Sequence, residues 1–144
     1  MKKLPLAILL LCSAAVGGCA APYISPTSGP VAYVKMIDDT PNSFRGIYEA
    51  GDCKSAKGVE TNDWVAVPAN RDIGFVKVHS VIGNFCIARG EMVLREGQRV
   101  ALQHALRIEG ITAVCTTKAI EQAADGRSLG QVQILLPKNP ACRS

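Results

Sequence analysis

The residues best equipped for chemistry in this 144-residue chain are six cysteines and two histidines, and their placement narrows what that chemistry is. Cys53, Cys86, Cys115 and Cys142 are widely separated, with no CxxC pair of the kind that opens a structural zinc site. An even set of four in an oxidising compartment points to two disulfides. Three pairings are formally possible. Cys53 with Cys86 and Cys115 with Cys142 is the favoured set, because each bond closes a moderate loop and the second staples the tail. Acid–base catalysis near neutral pH calls most often on histidine, and only His79 and His104 are present. Both fall on faces that read as core, so packing beside the bridges is the expectation. A copper or zinc site of His79, His104 and Cys115 would need Cys115 reduced.

Other patterns offer less. No Gly-x-Ser-x-Gly elbow exposes a serine, and no glycine-rich loop cradles phosphate. Glu60 and Asp63 in "GVETNDW" lack the dense ladder of a calcium loop. "REGQR" sets Arg95 and Arg99 around Glu96, where an anion or a lipopolysaccharide phosphate could dock, but it reads as a charged hairpin end. The chain is therefore expected to be no enzyme, with no catalytic residue, no metal and no cofactor.

The compartment is written at the N-terminus. Lys2 and Lys3 precede an apolar run from Leu4 to Val16 and the small residues Gly17 and Gly18, which is the layout of a secretory signal. About thirteen residues rise only ~20 Å as a helix, short of the roughly 30 Å hydrocarbon core of a bilayer. "VGGC" resembles the lipobox of bacterial lipoproteins, which implies that residues 1–18 are removed and that Cys19 is acylated at a new N-terminus. Three acyl chains would anchor it firmly. Cys12 is excluded by the bulky Leu11 before it. Ala20, not Asp, beside the anchor implies sorting to the outer membrane, facing the periplasm. The competing cut, after Ala20 or Ala21, would leave a soluble periplasmic protein.

What remains is one domain's length. Sixteen basic residues against twelve acidic give a net charge of +4, and the leader takes two lysines of that surplus with it. The bases are scattered, which argues against nucleic acid as a partner. Residues 19–30 hold Pro22, Pro26, Gly29 and Pro30 among Ser and Thr, the composition of an extended, flexible tether.

Residues 31–144 read as about eight short strands broken by turns, the pattern of an all-β, antiparallel, immunoglobulin-like β-sandwich. Ala32, Val34 and Met36 alternate with polar neighbours, and Trp64 is expected to anchor the core. Gly83-Asn84 reads as a two-residue hairpin loop pairing Ile82 with Phe85. That register collects Ile73, Phe75, Cys86, Ala88, Met92 and Leu94 on one face, with Lys77 and His79 among them. Val100, Leu102, His104, Leu106 and Ile108 alternate too, so a second hairpin turning at Glu109-Gly110 is preferred to a helix.

The order of a lipobox, a Pro/Ser tether, "VAYVKM", "GDC", "VPANRDI" and "CIARGEMVLREGQRVAL" resembles a broad group of small proteobacterial β-sandwich lipoproteins with a disulfide-bearing domain. The likeness spans most of residues 31–118. It departs at Met92, Val93 and Leu94, where the group is expected to carry Phe-Thr-Pro. The resemblance implies no catalytic residues. The expected function is a membrane-anchored, non-enzymatic envelope lipoprotein with a binding or structural role. Its partners would be the membrane, through acylated Cys19, and a protein or envelope polymer. The alternative is an inhibitor or immunity protein against a toxin or a lysozyme-like enzyme.

Overall fold

The computed structural model describes residues 20–37, 43–81 and 84–143, with Val81 and Asn84 described by their backbone alone. The leader and Cys19 lie outside the described residues. Nine strands follow in order: β1 (Val31–Met36), β2 (Ser43–Glu49), β3 (Lys57–Gly58), β4 (Trp64–Pro68), β5 (Asp72–Val81), β6 (Asn84–Val93), β7 (Arg99–Glu109), β8 (Thr112–Gln122) and β9 (Ser128–Val132). They form an all-β sandwich of a five-stranded sheet, β4-β1-β7-β8-β9, on a four-stranded sheet, β3-β2-β5-β6. Every pairing between strands is antiparallel except β1 with β7. Among the described residues no helix is long and apolar enough to cross a membrane.

Strand alternation supplies the core, because successive side chains of a strand point to opposite faces. Ala32, Val34 and Met36 on β1 and Val65 and Val67 on β4 meet Val100 and Leu102 on β7 from within one sheet. Ile47, Ile73, Phe75, Met92 and Leu94 oppose them from the other. Trp64 is not part of this core. It lies on the outer face, half-buried, because β4 buries Val65 and Val67 and so turns its even-numbered residues outward.

Both hairpins form, each two residues out of the expected register. Val81 pairs with Asn84, so Asn84 belongs to β6; residues 82 and 83 lie outside the described residues. Glu109 pairs with Thr112, which moves the second loop to Gly110-Ile111. Gly110 has φ +65°, and Ile111 has no positive φ. Glycine at the first central position is what a type II′ turn requires. An even slip keeps every side chain on its intended face, which is why the expected core faces survive the altered registers.

The disulfides are Cys53–Cys142 and Cys86–Cys115, which corrects the expected pairing of Cys53 with Cys86 and Cys115 with Cys142. The physical reason is which faces meet. Cys86 points inward from β6 and Cys115 inward from β8, so their bond spans the two sheets. Cys53 opens the 3-10 turn Cys53–Ser55 after β2, where the C-terminal turn Pro140–Cys142 packs. The Cα atoms in each pair are 5.8 Å apart, the usual span of a disulfide. Doubling a loop adds only ~0.6 kcal/mol of closure entropy, so loop length has little power to choose the partners.

Candidate functional site

Residues 20–30 have the composition of a free tether, yet their first part is bonded to the sandwich. Ala21 O accepts from Gly58 N at 2.8 Å, and Tyr23 N donates to Gly58 O at 2.8 Å. Pro22 thereby forms a parallel bridge to β3. Tyr23 then crosses to the other sheet, where its hydroxyl donates to Ala66 O at 3.1 Å, and its ring packs against the core. The gap between edge strands β3 and β4 is closed by this clasp. Pro30 O accepts from Ala69 N at 3.0 Å, which fixes the far end of the segment.

Between the clasp and the sheet opens a groove of about 570 Å³, within the usual range of small-ligand sites. Ile47, Tyr48 and Ile73 form its floor, and Pro22, Tyr23 and Ile24 one wall. Its rim is polar, with Glu49, Asp52, Ser55, Lys57 and Arg71. Arg71 and Glu49 pair at 2.5 Å, but both are well exposed, and an exposed pair of this kind stabilises the fold little. The groove suits an amphiphile: apolar along the floor, polar at the rim.

Two tyrosines line the groove. Burial pushes the phenol of Tyr23 up to about 12, against a smaller opposing effect of Arg71. Tyr48 is also raised to about 12, first by burial and then by the nearby Glu91 carboxylate, with Arg89 acting the other way. Both therefore remain protonated donors, Tyr48 to Gly90 O at 3.4 Å.

A buried carboxylate ties the loop after β2 to the C-terminal segment. Glu91, fully buried, accepts from Gly51 N at 2.9 Å and from Lys138 N at 3.2 Å. Its own backbone exchanges both hydrogen bonds with Leu135. The odd-numbered positions of β6 point away from the core, so sequence parity places Glu91 in solvent. The C-terminal segment covers it instead. Arg45 is buried likewise, donating to Met36 O at 2.6 Å and Asn62 Oδ1 at 2.5 Å. Lys77, fully buried, donates to Ile37 O at 3.0 Å. Of these ions only Lys77 was legible beforehand, as a lysine on a core face.

The remaining candidates separate. His79 and His104 do come together, ring centroids 6.5 Å apart, with Phe75 at 6.3 Å from His104. His104 Nδ1 shares a hydrogen bond with Thr117 Oγ1 at 2.8 Å. Cys115 is bonded to Cys86, and among the described residues no group of three His, Cys, Asp or Glu side chains could hold a metal. Asp63 Oδ1 accepts from Trp64 N at 2.7 Å, a local turn contact. Arg95 pairs with Glu121, whereas Arg99 stacks on aromatic rings. The groove itself was missed; the one signal for it was an aromatic and an aliphatic residue, Tyr23 and Ile24, inside a tether that otherwise needs neither.

Comparison of the chain with protein-family models, with curated proteins and with solved structures finds no match.

Proposed function

We propose that the chain is an exported lipoprotein, acylated at Cys19 and anchored in the outer membrane facing the periplasm, whose sandwich is a non-enzymatic binding module. The observation that carries this reading is the position of the groove beside the clasp. Ala21, hydrogen-bonded to β3, stands two residues from Cys19, so a lipid on that cysteine would hold the groove at the membrane surface. Its apolar floor and charged rim then face an amphiphilic envelope component, with the polar group at Glu49, Lys57 and Arg71. The two disulfides support an oxidising compartment.

Fractionation of cells producing the full-length chain, with intact-mass analysis of the membrane-extracted protein, tests it. Acylated Cys19 in the membrane fraction, and release to the soluble fraction by Cys19→Ala, are expected. A mature N-terminus at Ala21 or Pro22 with no acyl group would overturn the anchor.

A second reading has one specific observation in its favour. β7 and β8 run past the strands that flank them: β1 reaches only Leu102, and β9 only Ala119. The tip of this hairpin carries Ile108 and the almost wholly exposed Ile111, and Cys86–Cys115 braces it. A stiff, apolar-tipped hairpin suits insertion into an enzyme's cleft, as an inhibitor or immunity protein against a toxin or lysozyme-like enzyme would require. Capture of one hydrolase from envelope extract, lost with Ile111→Asp, would support this reading; capture unaffected by that change would exclude the hairpin.

A further inference from the structure

The outer face of the five-stranded sheet carries a cluster that neither the groove nor the anchor uses. β1 pairs Lys35 with Trp64 of β4 and Tyr33 with Arg99 of β7, so four large side chains share one surface. The Arg99 guanidinium lies 4.3 Å from the Trp64 ring centroid and 5.4 Å from that of Tyr33. Lys35 Nζ lies 5.9 Å from the same Trp64 ring. Among the described residues, no carboxylate is within ion-pair reach of Arg99 or Lys35. Glu121, which pairs with Val100 next to Arg99, is taken by Arg95 and by Gln98, whose Nε2 donates at 2.8 Å.

Two cations over one indole repel each other, and partial burial weakens the water that would screen them. Arg99 Nε is buried with no acceptor, so a ligand would be met by the two terminal amino groups of the half-buried side chain. Stacking fixes the plane of that fork, and little freedom is lost when it closes on a planar or tetrahedral anion. A guanidinium fork beside an ammonium point charge matches a group with several charged oxygens better than one with two.

We propose that Arg99 and Lys35, held on Trp64 and Tyr33, form a binding site for a phosphate group. Its source is either a phospholipid headgroup at the membrane surface or a soluble phosphate.

Trp64 is the only tryptophan in the chain, so its fluorescence reports directly on the cation stacked over it. The full-length protein is titrated with inorganic phosphate at constant ionic strength against chloride, and with phosphatidylcholine vesicles with and without phosphatidylglycerol. A saturable change with phosphate but not chloride, or with phosphatidylglycerol beyond phosphatidylcholine alone, supports the site. The first result assigns a soluble source, and the second alone a headgroup.

Arg99→Gln should weaken binding at least tenfold and Lys35→Gln at least threefold, while Arg95→Gln leaves it unchanged. The Lys35 variant serves as the decisive test if Arg99→Gln melts at a much lower temperature. No saturable response to any probe, or the affinity of the unsubstituted protein retained in both Arg99→Gln and Lys35→Gln, would overturn the proposal.

Discussion

Removing the Cys53–Cys142 bond should cost more than removing Cys86–Cys115, and its damage should reach the groove. In the chain-entropy account, a cross-link stabilises by restricting the unfolded chain, and more so for longer loops. The sequence separations are 89 and 29 residues, which give about 4.6 and 3.6 kcal/mol respectively. A small domain has only about 5–15 kcal/mol to lose, so the first variant sits near the edge of folding.

Cys53 and Cys142 also hold the 3-10 turn that leads from the rim residue Asp52 to Ser55, assisted by Asn139 Nδ2 donating to Gly51 O at 2.9 Å. Cys53→Ser with Cys142→Ser should lower the urea midpoint by the larger amount and raise amide exchange at Gly51 and Asp52. Cys86→Ser with Cys115→Ser should leave those amides protected. Equal or reversed losses, or disulfide-linked peptides joining Cys53 to Cys86, would refute both the connectivity and the ranking.

Three more outcomes follow from the groove's surroundings. Glu91→Ala leaves Gly51 N and Lys138 N without their acceptor and should cost about 3 kcal/mol in urea unfolding, with Glu91→Gln costing distinctly less; indifference to both would show that the carboxylate does not hold the C-terminal segment. A methyl group at Gly74 would overlap the Tyr48 ring packed over it, so Gly74→Ala should destabilise by about 1–3 kcal/mol, read from thermal melting, and an unchanged melting temperature would mean the ring can swing aside freely. Tyr23 and Tyr48 bind their phenolic protons more tightly when folded, at about 12, than at the ordinary value of 10.0; their contribution is complete below pH 10 and is lost as pH rises towards 12. Stability should therefore fall across that interval in step with tyrosinate absorbance, and the fall should flatten in the double Phe variant.

The sandwich was legible because its signals are local and repeated. Period-two alternation marked β1, β5, β6 and β7, and it survived two register errors because both were slips of two residues. Lys77 and His79 on an otherwise apolar face were legible for the same reason. Trp64 misled because hydrophobicity alone suggests burial, whereas strand parity puts it outside with Arg99 over it. The burial of Glu91 had no local signal, since parity puts it outside and a distant segment covers it. The groove escaped because its wall is a stretch whose composition matches a tether, and only Tyr23 and Ile24 are out of character there.

By itself the chain's order of residues determined the all-β class, the inward faces and the even set of four cysteines, since each depends on neighbours a few positions apart. Tertiary structure alone decided which cysteines meet, that Ala21–Tyr23 dock on β3, and that Arg99 leaves Arg95 to stack on Trp64. Those outcomes depend on which edges and faces are brought together across the sandwich, and closure entropy varies too slowly with chain separation for spacing to reveal them.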